Sequence, residues 1–264
     1  MRTETITSAQ NPKIKQLLAL GEKSSLRRES GLFVLEGLRE LLHALEAGFE
    51  VDTVFFCPEI LGNRIPDTHP SLSEARWVEV SRAIYEKIAY RGSTEGIIAE
   101  VKARKISLPD LRLSGNPLIV VLESVEKPGN LGAVLRSADA AAADAVLICD
   151  PLTDLFNPNL IRASLGAAFT VPVVACESKE AIKWLKSNNI KILTAQLQDS
   201  EWYYDSDMSC GTAIIIGTEA TGLTDIWRQA ADAHIKIPML GRLDSLNASV
   251  SAAVLLFEAV RQRQ

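Results

Sequence analysis

Three short polar turns carry the side chains of this sequence that are equipped for chemistry. The first, "EKPGNLGAVLRSADA" (126–140), sets Asn130 and Gly132 where a helix begins and Arg136 six residues beyond Asn130. A guanidinium there can grip a phosphate or a carboxylate with two parallel hydrogen bonds. The second, "GTEATGLT" (217–224), confines Glu219 between Gly217 and Gly222, and a carboxylate so placed needs donors around it. The third, "LDSLNAS" (243–249), offers the Ser245 hydroxyl and the Asn247 amide at the opening of a helix, where the first backbone amides can meet a ligand. Each turn also has a plainer reading. Asn130 and Asn247 can cap their helices, and Glu219 can cap a helix opened by Gly222.

Other chemistries lack their patterns. There is no G-x-G-x-x-G and no G-x-x-x-x-G-K-[ST], so neither a dinucleotide nor a phosphate-loop site is supported. "RASLG" (162–166) lacks the first glycine of a nucleophile elbow. His43, His69 and His234 show no metal-ligand spacing among themselves or with cysteine, and no metal is expected.

The turns follow apolar runs that read as strands. "LIVVLESV" (118–125) is continuous enough for the centre of a parallel sheet. Further strands are expected at 145–150, 172–176, 190–196, 212–217 and 234–239, with helices at 130–142, 158–165, 178–188, 222–231 and 247–262. Alternation of this kind predicts an α/β fold, a doubly wound parallel sheet with helices on both faces and ligands beyond the carboxyl ends of its strands. Val250, Val254, Phe257 and Val260 form an apolar stripe on the last helix.

A smaller α/β unit precedes it, with strands at 31–37, 51–57, 75–81 and 96–103 and helices from Pro12 and at 38–48 and 82–91. The polar stretch 104–117 has two prolines and a glycine, which divides the chain into a domain at 1–106, a linker at 107–116 and a domain at 117–264.

With 264 residues and 47% apolar content, the chain can bury substantial cores. It lacks an apolar run of membrane-spanning length and a secretory leader. Its four scattered cysteines (Cys57, Cys149, Cys176, Cys210) read as reduced residues of a cytoplasmic protein. The net charge of −5 falls wholly in the second part, since residues 1–106 carry 15 basic and 15 acidic side chains. Within them Lys13, Lys15, Lys23, Arg27 and Arg28 gather around a single Glu22, a patch suited to phosphates or to a solvated helix face.

Taken together, "NLGAVLRSADA", "IIIGTEATGL" and "IPMLGRLDSLNASVSAAVLLFEAVRQ" resemble the three signature motifs of the SpoU (TrmH) family of RNA ribose 2′-O-methyltransferases. The resemblance spans about residues 116–264 and includes "NPNLIRASLGAAFTVPVV" (157–174). It implies a deep trefoil knot, a homodimer built on the C-terminal domain, and S-adenosyl-L-methionine as cofactor. It also implies that Gly217, Ile237 and Leu246 receive the cofactor through backbone groups, together with Glu219 and Asn247. Asn130, Glu219, Ser245 and Asn247 would organise the site, and Arg136 would act on the ribose 2′-hydroxyl. "ITSAQNPKIKQLLAL" with "RRESGLFVLEGLRELLHAL" is similar to the L30e-like domain that binds structured RNA in many of these enzymes. The expected substrate is ribosomal RNA, with transfer RNA the runner-up. A base-nitrogen methyltransferase and a non-catalytic RNA-binding protein are the remaining alternatives. Lys127 stands where the family often has Asp, and Thr218 where Asn is common.

Overall fold

The computed structural model describes residues 3–62, 72–90 and 95–264. His69 and the last residue of the helix expected over 82–91 lie outside them. The chain divides into two compact units, Met1–Arg104 with Phe156–Arg162, and Lys105–Leu155 with Ala163–Gln264.

The first unit runs β1 (Thr3–Ile6), α1 (Pro12–Glu22), α2 (Ser24–Ser30), β2 (Leu32–Glu36), α3 (Leu38–Glu46), β3 (Val51–Phe56), α4 (Pro58–Leu61), β4 (Arg76–Val80), α5 (Arg82–Ile88) and β5 (Ile97–Lys102). Its sheet has the order β1-β4-β3-β5-β2 and is mixed: β4 is parallel to β1 and β3, whereas β5 is antiparallel to β3 and β2. Asn11 starts α1 as the spacing predicts, its side-chain oxygen accepting from the Lys13 amide at 2.9 Å with Pro12 in the first turn. Ile14, Leu17 and Leu20 then turn inward.

The basic patch is corrected at one position. Arg27 is only 4% exposed, and its guanidinium donates to the carbonyls of Leu20 at 2.5 Å and Gly21 at 3.3 Å. It ties α2 back onto the end of α1, whose last carbonyls lack helical partners. Lys15, Lys23 and Arg28 are exposed, and Lys13 is ion-paired with Glu4.

Glu100 lies buried on β5, where one carboxyl oxygen has no hydrogen-bond partner among the described residues. Burial above all, and then Asp52, push its pKa up to about 7, with Arg76 and Lys13 opposing. Between its ordinary value near 4.5 and about 7, the folded chain keeps a proton that the unfolded chain has released. Stability therefore falls as pH rises through that window. Glu100→Gln is expected to raise the melting temperature at pH 8, by an effect on the order of 3 kcal/mol, and to leave it unchanged at pH 4. Calorimetry of both proteins at the two pH values checks this; equal melting temperatures at pH 8 would refute it.

The second unit opens with a 3-10 turn at Leu108–Asp110 and continues through β6 (Leu118–Glu123), α6 (Pro128–Ala140), β7 (Ala145–Cys149), α7 (Pro158–Ser164), α8 (Ala167–Thr170), β8 (Val173–Cys176), α9 (Ser178–Ser187), β9 (Lys191–Ala195), β10 (Glu201–Trp202), β11 (Thr212–Ile216), α10 (Asp225–Ala230), β12 (Ala233–Lys236) and α11 (Ala248–Gln262). Most of α7, through Arg162, groups with the first unit. Every strand pair is parallel, in the order β10-β12-β9-β11-β6-β7-β8. β6 is buried along its whole length, as a central strand requires. Ile119 and Val121 share a core with Leu185 of α9 and Trp227 of α10. Strand alternation sends Val120 and Leu122 to the opposite face.

The last helix carries a second apolar face besides the stripe seen in the sequence. α11 packs on α6 and β11, and its Ala252, Leu255, Leu256 and Ala259 are all buried. The stripe expected from spacing faces elsewhere, with Val250 47% and Phe257 48% exposed. At the far end of α11, Arg263 donates to the carbonyls of Asn116, Pro117, Met208 and Cys210 at 2.6–3.2 Å. All four cysteines are free, and Cys149 and Cys176 lie in register on neighbouring strands with sulfurs 3.9 Å apart. Among the described residues no helix is long and apolar enough to cross a membrane, and no cluster could hold a metal ion.

Candidate active site

The polar turns all leave carboxyl ends of parallel strands or open helices at that edge, so the sheet itself gathers them. Pro128 starts α6 and places Asn130 in its first turn, where the Asn130 side chain does not cap the helix. Its Nδ2 donates to Glu219 Oε1 at 3.1 Å. Asn247 does cap α11, but only with its oxygen, which accepts from the Ser249 amide at 3.0 Å. The Asn247 Nδ2 is left for the site and donates to Glu219 Oε1 at 2.7 Å and to Asn130 Oδ1 at 3.1 Å. One amide thus does both jobs that the sequence left open.

Glu219 does not cap the following helix. α10 begins later, at Asp225, because Gly222 closes a tight turn, exchanging backbone hydrogen bonds with Thr218 at 3.0 and 3.3 Å. The residue before α10, Thr224, is held instead by buried Glu123, which accepts from its amide at 2.9 Å and its hydroxyl at 2.5 Å. Glu219 is free to collect donors from other segments: Asn130, Asn247, the Ala248 amide, and Lys127 Nζ at 2.6 Å on Oε2. Lys127 above all, with Asn130 and the Ala248 amide, holds its carboxyl below the usual range against the opposing effect of burial.

Beside this network lies a cleft of about 390 Å³, lined among others by Gly217, Glu219, Ile237, Ser245 and Leu246. Its volume lies in the range of small-molecule sites. A Cβ on Gly217 would stand 2.4 Å from the Gly222 carbonyl, so only glycine allows the turn to fold back so closely. Gln196 Oε1 and Arg228 Nε belong to lining residues, are buried, and have no partner among the described residues. Polar atoms in that condition suit a polar ligand.

Residues 117–257, more than half of the chain, match the model of the SpoU rRNA Methylase family. The chain belongs to that family. Residues 11–99 match the MRM3-like substrate binding domain. The 23S rRNA (guanosine(2553)-2'-O)-methyltransferase RlmP of Bacillus subtilis is 29% identical, over 96% of this chain and 97% of its own length. The 23S rRNA (guanosine-2'-O-)-methyltransferase RlmB of Photobacterium profundum is 34% identical, over 84% of this chain and 96% of its own. The crystal structure of AdoMet-bound rRNA methyltransferase from Sinorhizobium meliloti superposes with a TM-score of 0.88 at 27% identity, covering 98% of both chains.

In this SpoU chain, the motif residues divide into two groups. Asn130, Glu219 and Asn247 touch one another, and Gly217, Ile237, Ser245 and Leu246 line the adjoining cleft. Arg136 stands apart. It is exposed on α6, about 120° round the helix from Asn130, and has no hydrogen-bond or ion-pair partner among the described residues. Lys127 is the participant that the motifs did not supply; its only signal was a cation standing where the family often has an acid. Glu123 and Arg228 were also missed, one inside an apolar run and the other on a helix face, where nothing in the local pattern marks them.

Proposed function

We infer that this protein transfers a methyl group from S-adenosyl-L-methionine to a ribose 2′-hydroxyl of ribosomal RNA. The observation that carries the reading is the Asn130–Glu219–Asn247 network at the edge of a glycine-walled cleft. When bound, the cofactor supplies an electrophilic methyl group on a positively charged sulfur. The unpartnered Gln196 and Arg228 atoms, the cleft volume and the close turn at Gly217 fit such a molecule. Backbone groups at Gly217, Ile237 and Leu246 hold it, while Glu219, Ser245 and Asn247 order its polar end. Arg136 acts on the ribose. A guanidinium keeps its proton in proteins, so it stabilises the developing alkoxide or fixes a neighbouring phosphate rather than serving as a free base.

The relatives named as 23S rRNA methyltransferases favour ribosomal over transfer RNA. We assign RNA capture to an L30e-like first domain, through Lys13, Lys15, Lys23 and Arg28. We assign the protein to the cytoplasm, where the ribosomal RNA of its bacterial relatives is assembled. Incubation with methyl-labelled cofactor and ribosomal RNA from a strain lacking the gene, followed by mapping of 2′-O-methyl groups, tests the reading. Label on a base, or none in RNA, would overturn it.

The trefoil knot belongs to the same proposal. It is supported by the insertion of β11 between β6 and β9, and by the meeting of turns 217–222 and 237–246 at one cleft. So does the homodimer. Leu240 is 98% and Leu243 76% exposed on the second domain, as are Val250 and Phe257 in part, and we assign these apolar side chains to the dimer surface. Such surfaces mark interaction sites, and symmetric pairs are the commonest assembly. Phe257→Glu is expected to give a monomer by light scattering at a concentration where the unaltered chain is dimeric. A monomeric unaltered chain would refute the assignment.

A further inference from the structure

We propose that Lys127 is a positioning residue for methyl transfer, acting through Glu219. This rests on the functional reading above. The side chain is 69% exposed, so it carries little of the fold, and its ammonium reaches Glu219 Oε2 at 2.6 Å. The partners lie 92 positions apart in sequence. The contact therefore joins the turn before α6 to the turn after β11, inside the network and not along one helix.

Exposed ion pairs as a rule stabilise little. What distinguishes this one is the division of labour on the carboxylate. Oε1 receives Asn130 Nδ2 at 3.1 Å and Asn247 Nδ2 at 2.7 Å, the ammonium occupies Oε2, and the Ala248 amide is a further donor to the carboxylate. With the ammonium on one oxygen, the other is left to receive both amides together. Remove the ammonium, and the two amides can divide between the two oxygens. Asn130 and Asn247 then lose a common orientation. Asn247 also caps α11 through its oxygen, so a turned Asn247 amide cannot be recovered by flipping oxygen for nitrogen. Methyl transfer depends on in-line approach, and small misplacements of the groups that hold the reactants are costly to its rate.

The test measures single-turnover methyl transfer at saturating S-adenosyl-L-methionine, with ribosomal RNA from a strain lacking the gene. Cofactor affinity is measured separately by calorimetry. Lys127→Ala and Lys127→Met are expected to slow transfer about tenfold, with cofactor affinity unchanged. Lys127→Arg, which keeps a charged donor, is expected to recover most of the rate. On a Glu219→Gln background, Lys127→Ala should add no further loss, because the residue acts through the carboxylate. Full rate in Lys127→Met overturns the proposal. So does a double variant whose loss is the product of the single losses, since Lys127 would then act on the RNA directly. Absence of transfer by the unaltered protein overturns the functional reading itself.

Discussion

Arg136→Ala is expected to lower methyl transfer by about 10²- to 10³-fold, the loss seen when one donor to a developing oxyanion is removed. Cofactor binding should survive, because Arg136 is exposed and is absent from the lining of the cleft. Arg136→Lys separates two accounts. Lysine keeps the charge but not the planar fork, so it should be nearly as slow if Arg136 clamps a phosphate or alkoxide with two hydrogen bonds. Substantial activity in the lysine variant would leave charge as the whole contribution. Transfer rates with calorimetric cofactor affinities decide between them, and an alanine variant of normal rate would remove Arg136 from the mechanism.

The second large effect concerns Gly217. An alanine methyl there would lie 2.4 Å from the carbonyl carbon and oxygen of Gly222 and 2.6 Å from the Leu223 nitrogen. All three are backbone atoms of the turn that lines the cleft, so none can swing aside. Gly217→Ala is expected to weaken S-adenosyl-L-methionine binding about a hundredfold or more, the scale of a steric clash inside a packed site. Gly222→Ala is the instructive comparison. Gly222 has φ +69°, which disfavours a side chain, but a Cβ there finds nothing nearer than the Arg228 guanidinium at 4.0 Å. Conformational cost alone is about 1–2 kcal/mol, so its effect should be the smaller. Calorimetry on both variants ranks them, and equal affinities for Gly217→Ala and the unaltered chain would sink the steric argument.

The elements that carry these residues were legible because burial writes itself into composition. β6, β7 and β11 are buried on both faces and stand in the sequence as unbroken apolar runs. The turns between them were legible as glycine and polar punctuation. β1 was not, since "TETI" has one buried residue and gains its place by pairing with β4. α2 was not, since "SSLRRES" has no apolar period and is held by Arg27. That contact also shows why the basic patch was misread at one position: charge can be counted from sequence, but the direction of a side chain cannot. α11 carries two apolar stripes, and spacing alone could not say which one seats against α6. The amide cluster was legible as three residue types at helix and strand ends. Its fourth member, Lys127, emerged only when the distance to Glu219 was known.

The place of β11 in the sheet constrains how the second unit forms. β11 lies between β6 and β9, yet both precede it in the chain, and it pairs Thr212 with Leu118. The sheet therefore cannot grow by adding each new strand to a finished edge. β9 has no contact of its own with β6 in the sheet, so it takes its place only together with β11 or after it. Closing the long loop between β6 and β11 is costly before its contacts form, so refolding is expected to be slow and limited by the pairing of these two strands.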